Sequence, residues 1–554
     1  MSRQKIAAIL TVIFIFFGCK KSSDGNPPPA TPNFYSTDVK LNGQTAAATN
    51  YDVTLSPIIK FSFSAALDRN TVAGAISFKD KSGTSVAYSA AYENSDKTVI
   101  IQPSSGLNYL TKYSVSVGNS LKSAEGGSLI SGVTLSFVTK IDSSRKFPLI
   151  SDDSLLTFIQ QQTFRYFWDF GHPVSGMARE RNTSGETVTT GGTGFGIMAI
   201  PVAISRNFIT RADGVARVQK IVNFLKSTAP NFHGAFSHWM NGTTGAVVPF
   251  ASNDDGADLV ETSYMMMGLL TARQYFDGAG AAETNLRNDI NALWMAVEWD
   301  WFRQNGKNVL YWNWSPNFGW AVNVPIQGWN ETLITYVLAA SSPSHAIPKA
   351  VYDSGFARNG AERNGNNYYG YTLPLGEAYG GPLFFEHYSF LGINPNGLID
   401  AYANYQSQTV NHTKINYEYC KANPKQYFGY SDSCWGLTAS DIENGYTASS
   451  PTNDVSVIAP TAAISSIPYT PNESLKALKF FYYVLGDKLW GDYGFKDAFS
   501  LHNVWFASSY LAIDEGPIIG MIENHRTGLL WDLFTSCPEV KTGLLSLGFT
   551  APYL

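Results

Sequence analysis

The chain has 554 residues, of which 44% are hydrophobic, 15% charged and 14% aromatic, and its formal net charge is −5 at pH 7. The length favours several domains, and the hydrophobic fraction excludes a globally disordered protein. Because the sequence has no block of Lys and Arg, we expect no nucleic-acid partner. A surface rich in aromatic rings and poor in charge suits neutral ligands such as sugars.

The N-terminus has the pattern of an export signal. Arg3 and Lys5 are followed by an apolar run over residues 6–17, which is too short for a comfortable transmembrane helix, and then by Gly18 and Cys19. This resembles a bacterial lipoprotein signal over residues 1–18, which predicts lipidation of Cys19. Residues 19–33 are polar and proline-rich and predict a flexible tether. We expect an outer-membrane lipoprotein, facing the periplasm or the cell surface and held only by its lipid anchor.

Residues 34–140 have the pattern of a β-sandwich. Short segments alternate apolar and polar residues, as at 58–63, 98–101, 113–117 and 135–138, and glycine-containing turns separate them. This spacing is typical of an Ig-like sandwich. The region is similar to the bacterial Ig-like modules of surface enzymes, and none of its residues points to catalysis.

Residues 150–554 have helical periodicity. Asp152 and Asp153 precede a run in which apolar residues recur at helical spacing. Long loops rich in Gly, Asn, Trp and Tyr separate the later runs. Roughly a dozen helices favour an all-α (α/α)6 toroid. Further helical runs are predicted at about 193–208, 213–228, 256–276, 281–303, 330–340, 397–419, 459–467, 472–487, 497–512 and 514–525.

Three cysteines lie in this helical region. Cys420 and Cys434 are near each other in sequence and either form a disulfide or remain free thiols, with Cys537 left over. The spacing matches no metal-binding motif, and we expect neither a metal nor an organic cofactor. The glycine-rich segment 191–196 follows no strand pattern. We interpret it either as a place where the backbone can approach a ligand closely or as the start of a helix.

Asp254, Asp258 and Glu261 are the most informative local pattern. At spacings of four and three residues, a helix over this segment would place all three carboxylates on one face. Like charges disfavour joint ionisation, so at least one pKa should rise, as a general acid at neutral pH requires. The alternative interpretation, helix capping, explains Asp254 and Asp255 well but explains Glu261 poorly.

Glu331 is the second acidic candidate. It precedes an apolar helical run and follows a loop that contains four Trp residues. An acid beside aromatic rings is where a sugar hydrolase places its proton donor, although a helix cap is the alternative. Further polar positions that could hold sugar hydroxyls, or equally form buried networks, are Glu386–His387, Trp435 with Thr438 and Asp441, and Asp514–Glu515.

Several phrases of residues 150–554 resemble the bacterial glucoamylase-like domain, which includes the β-1,2-glucanases of glycoside hydrolase family 144. The resemblance implies an (α/α)6 barrel, cleavage of β-1,2-glucan or sophoro-oligosaccharides with anomeric inversion, and essential acids at Glu331 and in the 254–261 cluster. The phrases are FRYFW at 164–168, DLVET at 258–262, GWNE at 328–331, GPLFFEHYS at 381–389, CWGLTASD at 434–441, APTAA at 459–463 and YGFKDAF at 493–499.

The resulting hypothesis is hydrolysis by two carboxyl groups. Glu331 would protonate the glycosidic oxygen, and Asp258 or Asp254 would activate water on the opposite face of the sugar. Glu261, Trp329, His387, Trp435 and Asp441 would position the glucosyl units. We expect a monomer. The alternatives are a non-catalytic glycan-binding lipoprotein, a hydrolase of a different glucan such as an α-glucan, and a polysaccharide lyase.

Overall fold

The computed structural model describes residues 33–554, which form two compact units divided between Lys140 and Ile141. The predicted signal segment and Cys19 lie outside the described residues. No helix within residues 33–554 is long and apolar enough to cross a membrane.

The N-terminal unit is the predicted Ig-like β-sandwich. Its strands form a five-stranded sheet in the order β2-β1-β4-β7-β6 and a four-stranded sheet in the order β3-β9-β8-β5. Alternate residues of the strands are buried, as Ile59, Phe61 and Phe63 are in β4. The elements are β1 Ser36–Leu41, β2 Gln44–Thr45, β3 Thr49–Val53, β4 Ile59–Phe63, α1 Arg69–Ala75, β5 Ile76–Asp80, β6 Tyr88–Glu93, β7 Thr98–Pro103, β8 Lys112–Val117 and β9 Val133–Thr139.

The C-terminal unit is the predicted helical toroid. Its helices are α2 Asp152–Trp168, α3 Thr190–Ser205, α4 Arg211–Ser227, α5 Leu259–Tyr275, α6 Ala281–Ala296, α7 Leu333–Ser341, α8 Lys349–Val351, α9 Tyr405–Ala422, α10 Pro460–Ile464, α11 Pro471–Tyr483, α12 Gly486–Leu489, α13 Ala512–Arg526, α14 Leu529–Thr535 and α15 Pro538–Leu547.

Short strands lie in the long loops between these helices and pair either within one loop or between two loops. They are β10 Thr187–Thr189, β11 Trp239–Asn241, β12 Val247–Val248, β13 Ala257–Asp258, β14 Leu310–Tyr311, β15 Asn313–Trp314, β16 Pro325–Ile326, β17 Asn367–Tyr368, β18 Tyr371–Thr372, β19 Ala439–Ile442, β20 Gly445–Ala448, β21 Trp490–Gly491, β22 Gly494–Phe495, β23 Phe499–Ser500 and β24 Trp505–Phe506. The helix predicted at 497–512 is therefore wrong, because β23, β24 and an extended segment occupy most of it.

The helices are of two kinds. Every residue of α7 and α10 is buried, and α3, α5 and α13 are buried along nearly their whole length. By contrast, α2, α4, α6, α11 and α15 bury one side only, as outer helices with a solvent face do. The buried set forms the inner ring of the toroid. Glu261 lies in the first turn of α5, Asp514 and Glu515 lie in the first turn of α13, and Glu331 lies just before α7.

Glycines allow α3 and α5 to pack closely. A Cβ atom on Gly194 would lie 2.2 Å from the carbonyl oxygen of Tyr264, and one on Gly268 would lie 2.2 Å from the carbonyl oxygen of Gly194. Only residues without a side chain permit this approach. The contact brings the first turn of α3 against the first turn of α5, where Glu261 lies.

The three cysteines of the helical unit are free and buried. Cys420 and Cys434 therefore do not form a disulfide. Burial raises the pKa of each thiol above its ordinary value, so all three behave as small apolar side chains of the core.

Candidate active site

A cavity of about 410 Å³ opens among the ends of the inner helices. Its lining combines acids, one histidine, one arginine and aromatic rings: Glu180, Arg181, Thr189, His238, Trp239, Phe250, Val260, Glu261, Tyr264, Trp312, Glu331, Phe384, Tyr388, Ala439, Tyr446, Leu511 and Ile513. Convergent polar groups among apolar surface are the mark of a small-molecule site. A larger groove along α4 and α6 lacks this character, because its acids Glu283 and Asp289 are paired with Arg211 and Lys226.

Asp258 is the N-cap of α5 and not a residue of the helix. It pairs with Asn313 of β15, and its Oδ1 accepts the backbone N–H groups of Val260 (3.0 Å) and Glu261 (2.9 Å). The capping interpretation thus applies to Asp258, whose side chain is enclosed. Asp258 does not line the cavity.

His238 donates its Nδ1–H group to the other oxygen of Asp258. Nδ1 of His238 lies 2.8 Å from Asp258 Oδ2, and Nε2 lies 3.9 Å from Glu261 Oε1. Burial acts to lower the pKa of His238, but the surrounding carboxylates outweigh it and raise the pKa to about 9. The ring is therefore a cation at neutral pH.

Glu261 lies in the first turn of α5 and faces the cavity. Its Oε2 accepts the backbone N–H of Gly191 (2.7 Å) and is 3.4 Å from the hydroxyl of Thr189. Burial raises the pKa of Glu261, whereas the His238 charge and the Gly191 N–H oppose that rise. Gly191 is needed here, because a Cβ atom at that position would lie 2.6 Å from Glu261 Oε2.

Glu331 lies in the turn before α7 and faces the same cavity. Its backbone carbonyl accepts the hydroxyls of Ser389 (2.5 Å) and Tyr264 (3.4 Å), which fixes the turn. Burial raises the pKa of Glu331 to about 7, and the charges of Glu261 and Asp258 contribute to the rise. A carboxyl group with such a pKa holds its proton at neutral pH for a substantial fraction of the time.

Asp254 lies in the loop before β13, so the predicted single helical face for the three acids is wrong. Its Oδ1 accepts the amide of Asn313 at 3.1 Å. Burial and the nearby Asp258 raise the pKa of Asp254 to about 6. Asp254 does not line the cavity, but its charge acts on His238.

A second polar cluster, which we name the Asp514 cluster, lies beside the same cavity and consists of Arg181, Asp441, Asp497, Asp514 and Glu515. Arg181 lines the cavity, and its Nη1 lies 3.1 Å from Asp441 Oδ1. Asp441 also accepts the hydroxyl of Ser509 at 2.5 Å and donates its backbone N–H to Asp497 at 2.7 Å. The predicted site residue Asp441 thus reaches the cavity through Arg181.

The three other acids of this cluster are buried, and Asp497 Oδ1, Asp514 Oδ2 and Glu515 Oε2 receive no other donor among residues 33–554. The carboxyl groups of Asp497 and Asp514 lie within hydrogen-bonding reach of each other, and one of them can donate to the other only when it is protonated. Burial raises the pKa of Asp497 to about 7 and raises the pKa values of Asp514 and Glu515 well above their ordinary range. Mutual repulsion adds to each rise, so this part of the cluster is held largely neutral.

Three predicted sugar contacts are wrong, because the side chains lie in the core. Trp329 packs against Phe390 and Tyr405, and Trp435 is fully enclosed and donates its Nε1–H to the Glu473 carbonyl at 3.3 Å. His387 is 1% exposed, and its Nε2 lies 3.0 Å from Ser466 Oγ. None of the three lines the cavity.

The sequence interpretation missed His238, Arg181 and Phe250. Phe250 is 50% exposed and stacks on the His238 ring with 4.0 Å between ring centroids. Each of the three stands alone in a loop, so no local spacing identified it. Within residues 33–554 no group of three or more His, Cys, Asp or Glu side chains is arranged to hold a metal ion.

Comparison with known proteins agrees with these features. Residues 323–538 match the family described as "Putative glucoamylase", and residues 32–139 match the bacterial Ig-like domain family. The first match contains Glu331 and the Asp514 cluster except Arg181.

Three characterised relatives are similar over most of the chain. An endo-β-1,2-glucanase from Chitinophaga pinensis, solved with sophorotriose and glucose, is 51% identical, with 73% of this chain and 100% of that chain covered and a TM-score of 0.72. A β-1,2-glucanase structure from Parabacteroides distasonis is 37% identical, with 94% of this chain and 74% of that chain covered and a TM-score of 0.70. An exo-β-1,2-glucooligosaccharide sophorohydrolase from Parabacteroides distasonis is 45% identical over 425 residues, 73% of this chain, and the match spans 58% of that relative's length.

Proposed function

The chain belongs to the bacterial glucoamylase-like family, and on that premise we propose that it is a glycoside hydrolase that cleaves β-1,2-linked glucans or sophoro-oligosaccharides. The relatives named as β-1,2-glucanase and sophorohydrolase support this substrate class. The observation that carries the proposal is that Glu331 and Glu261 face one aromatic-lined cavity. Two carboxyl groups are the machinery of glycoside hydrolysis.

Glu331 is the general acid. A proton donor must be protonated at the working pH, and the pKa of Glu331 is raised to about 7 by burial. Its carboxyl group donates a proton to the glycosidic oxygen as the bond to the anomeric carbon breaks. The leaving sugar departs with a neutral hydroxyl group.

Glu261 is the general base. It lines the cavity, whereas the predicted candidates Asp258 and Asp254 do not. Both oxygens of Asp258 are already occupied, one by two backbone N–H groups and the other by His238. Glu261 removes a proton from water as that water attacks the anomeric carbon, and attack opposite the departing oxygen inverts the anomer.

The remaining lining residues hold the glucosyl units. Phe250, Trp239 and Trp312 offer aromatic faces to the sugar rings, and Arg181, fixed by Glu180 and Asp441, offers N–H donors to hydroxyl groups. No step of this scheme requires a metal or an organic cofactor.

The test is hydrolysis of linear β-1,2-glucan by the wild type and by Glu331→Gln. We expect the wild type to release β-1,2-linked oligosaccharides or sophorose whose new reducing ends are initially the α anomer by NMR. E331Q should lower turnover by about 10²–10⁴-fold, as loss of a general acid does. Turnover by E331Q close to the wild-type value would remove Glu331 from the acid role.

A panel of glucans separates the alternatives. Starch cleavage without β-1,2-glucan cleavage would make the chain an α-glucan hydrolase. Binding of β-1,2-glucan without new reducing ends would make it a capture protein. Products that absorb as unsaturated sugars would make it a lyase.

A further inference from the structure

His238 is held in one orientation by contacts from four directions. Its backbone carbonyl accepts the N–H of Thr190 at 3.1 Å, and its Nδ1 lies 2.8 Å from Asp258 Oδ2. One ring face stacks on Phe250 at 4.0 Å, and Trp239 meets the ring edge-on at 5.4 Å. A ring fixed in this way directs its Nε2–H group in one direction only.

The Nε2–H group of His238 points towards the carboxylate oxygen Oε1 of Glu261. Because Asp258 accepts the Nδ1–H group, Nε2 is directed towards Glu261 Oε1, 3.9 Å away. This distance is too long for a direct hydrogen bond, but a water oxygen beside the pair can lie within hydrogen-bonding distance of both Nε2 and Oε1. The other oxygen of Glu261 is fixed by the Gly191 N–H, so Oε1 is the end available to reactants.

The charges around the ring have one sign. His238 faces the carboxylates of Glu261, Asp258 and Asp254, and Glu261 in turn faces Asp258, Glu331 and the neutral Tyr264. Arg181 and Glu180 also line the cavity but pair with each other. His238 is thus a cation that acts directly on Glu261, and it opposes the effect of the Asp258 charge there.

We propose that His238 is a positioning residue for the hydrolysis: its charged ring, aligned by Asp258, keeps Glu261 ionised and places Nε2–H beside the atom that Glu261 deprotonates. The inference rests on the proposed function, in which Glu261 is the base. Asp258 then acts as the group that orients His238, which explains why an acid in the cluster is enclosed.

The first test is the pH profile of kcat/KM on linear β-1,2-glucan. A base must be ionised, so activity rises with pH through the pKa of Glu261, and the raised pKa of Glu331 sets the fall at higher pH. H238Q removes the positive charge and raises the pKa of Glu261, so the acidic limb should move to higher pH by about 1 unit or more. An acidic limb at the wild-type pH in an active H238Q would overturn the proposal.

Two further variants make that result specific. In D258N the single amide oxygen cannot replace both carboxylate oxygens, and the charge that favours protonated His238 is lost, so the pKa of His238 should fall in the NMR measurement described below. H233Q is the matched control, because His233 also pairs with a carboxylate, Glu298 at 2.8 Å, and stacks on Trp301 at 3.5 Å, but does not line the cavity. H233Q should keep the wild-type profile; an equal shift in H233Q would show that the effect is unspecific and overturn the assignment.

The second test needs no turnover. In ¹⁵N-histidine NMR spectra of the wild type, the His238 signal, identified by its absence from H238Q or H238N, should report two N–H groups at pH 8. In E261Q the pKa of His238 should fall, because coupling between two charges is reciprocal. A neutral His238 at pH 8 would overturn the proposal even if no variant is active, whereas a charged His238 in a protein that leaves β-1,2-glucan intact would count against the proposed function alone.

Discussion

Two acidic clusters border the same cavity but differ in the donors around their acids. One is the Glu261 cluster, formed by Asp254, Asp258, Glu261 and His238, and the other is the Asp514 cluster. Both oxygens of Asp258 have donors, and a histidine cation lies among the carboxylates. In the Asp514 cluster, by contrast, three buried acids each have an oxygen that receives no N–H group within residues 33–554, Asp497 and Asp514 face each other, and the one arginine is engaged by Glu180 and Asp441.

The number of acids therefore does not determine the chemistry of a site. Donors and a cation favour the ionised form of a buried carboxyl group, whereas burial without donors favours its neutral form. The Glu261 cluster is therefore suited to accept a proton at neutral pH. The Asp514 cluster is suited to hold Arg181 and the adjoining strand pair β19–β20 in place at the edge of the cavity.

The largest expected effect is on turnover, through Glu261→Gln. The amide cannot accept a proton from water, so kcat should fall by about 10²–10⁴-fold on linear β-1,2-glucan. The Gln side chain retains an oxygen that can accept the Gly191 N–H, so the thermal unfolding midpoint should stay near that of the wild type.

Asp514→Asn is the matching variant from the other cluster. Because Asp514 does not line the cavity, D514N should lose less turnover than E261Q in the same assay. A loss in D514N larger than that in E261Q would transfer the role of base to the Asp514 cluster.

Much of the fold could be predicted from local patterns. Ser151 and Thr210 cap α2 and α4, and the strands of the Ig-like unit alternate as expected. The helix predicted to start at 397 begins instead at Tyr405, where Asn404 caps it. The region 497–512 was mispredicted because strands of two residues, such as β23, are too short to impose a period-2 pattern.

The site was only partly predictable, because half of it arises from contacts that are remote in sequence. Glu331 and Glu261 stand at helix starts beside apolar runs, which is a local pattern. Arg181 pairs with Asp441, 260 residues away, and His238 meets Asp258 across 20 residues. Trp435 misled the prediction, since the sequence does not distinguish a Trp that faces a cavity from one that fills the core.

A smaller effect is expected at the aromatic ring that covers the Glu261 cluster. Phe250→Ala removes a half-exposed face that can stack on a glucosyl ring, and a stacking contact contributes about 0.5–1.5 kcal/mol. KM should rise by about 2–12-fold, and F250Y should restore it. Phe318→Ala is the control, because Phe318 is 53% exposed but lies outside the cavity lining; an equal rise in F318A would refute a stacking role for Phe250.

The smallest effect is expected for Asp514→Asn, in the way that stability changes with pH. The thermal unfolding midpoint should differ by a few degrees. The ordinary pKa of an Asp is 3.8, and the pKa of Asp497 in the fold is about 7, with that of Asp514 raised too. Between these values the folded protein binds more protons than the unfolded chain, so its free energy of unfolding falls as pH rises. D514N has no carboxyl group to titrate there, so its unfolding midpoint should decline less than that of the wild type between pH 5 and pH 8.

Asp255→Asn is the control, because the contribution of Asp255 to stability changes with pH in the opposite direction. Hydrogen bonds from Ser315 and Asn317 lower the pKa of Asp255 in the fold, so its contribution to stability is present above the unfolded pKa and lost as pH falls through the folded pKa. The difference in stability between D255N and the wild type should therefore be present at pH 8 and disappear as pH falls through the folded pKa of Asp255. If the unfolding midpoints of D514N and the wild type changed with pH in parallel, Asp514 would be ionised in the fold. The two clusters would then not differ in charge.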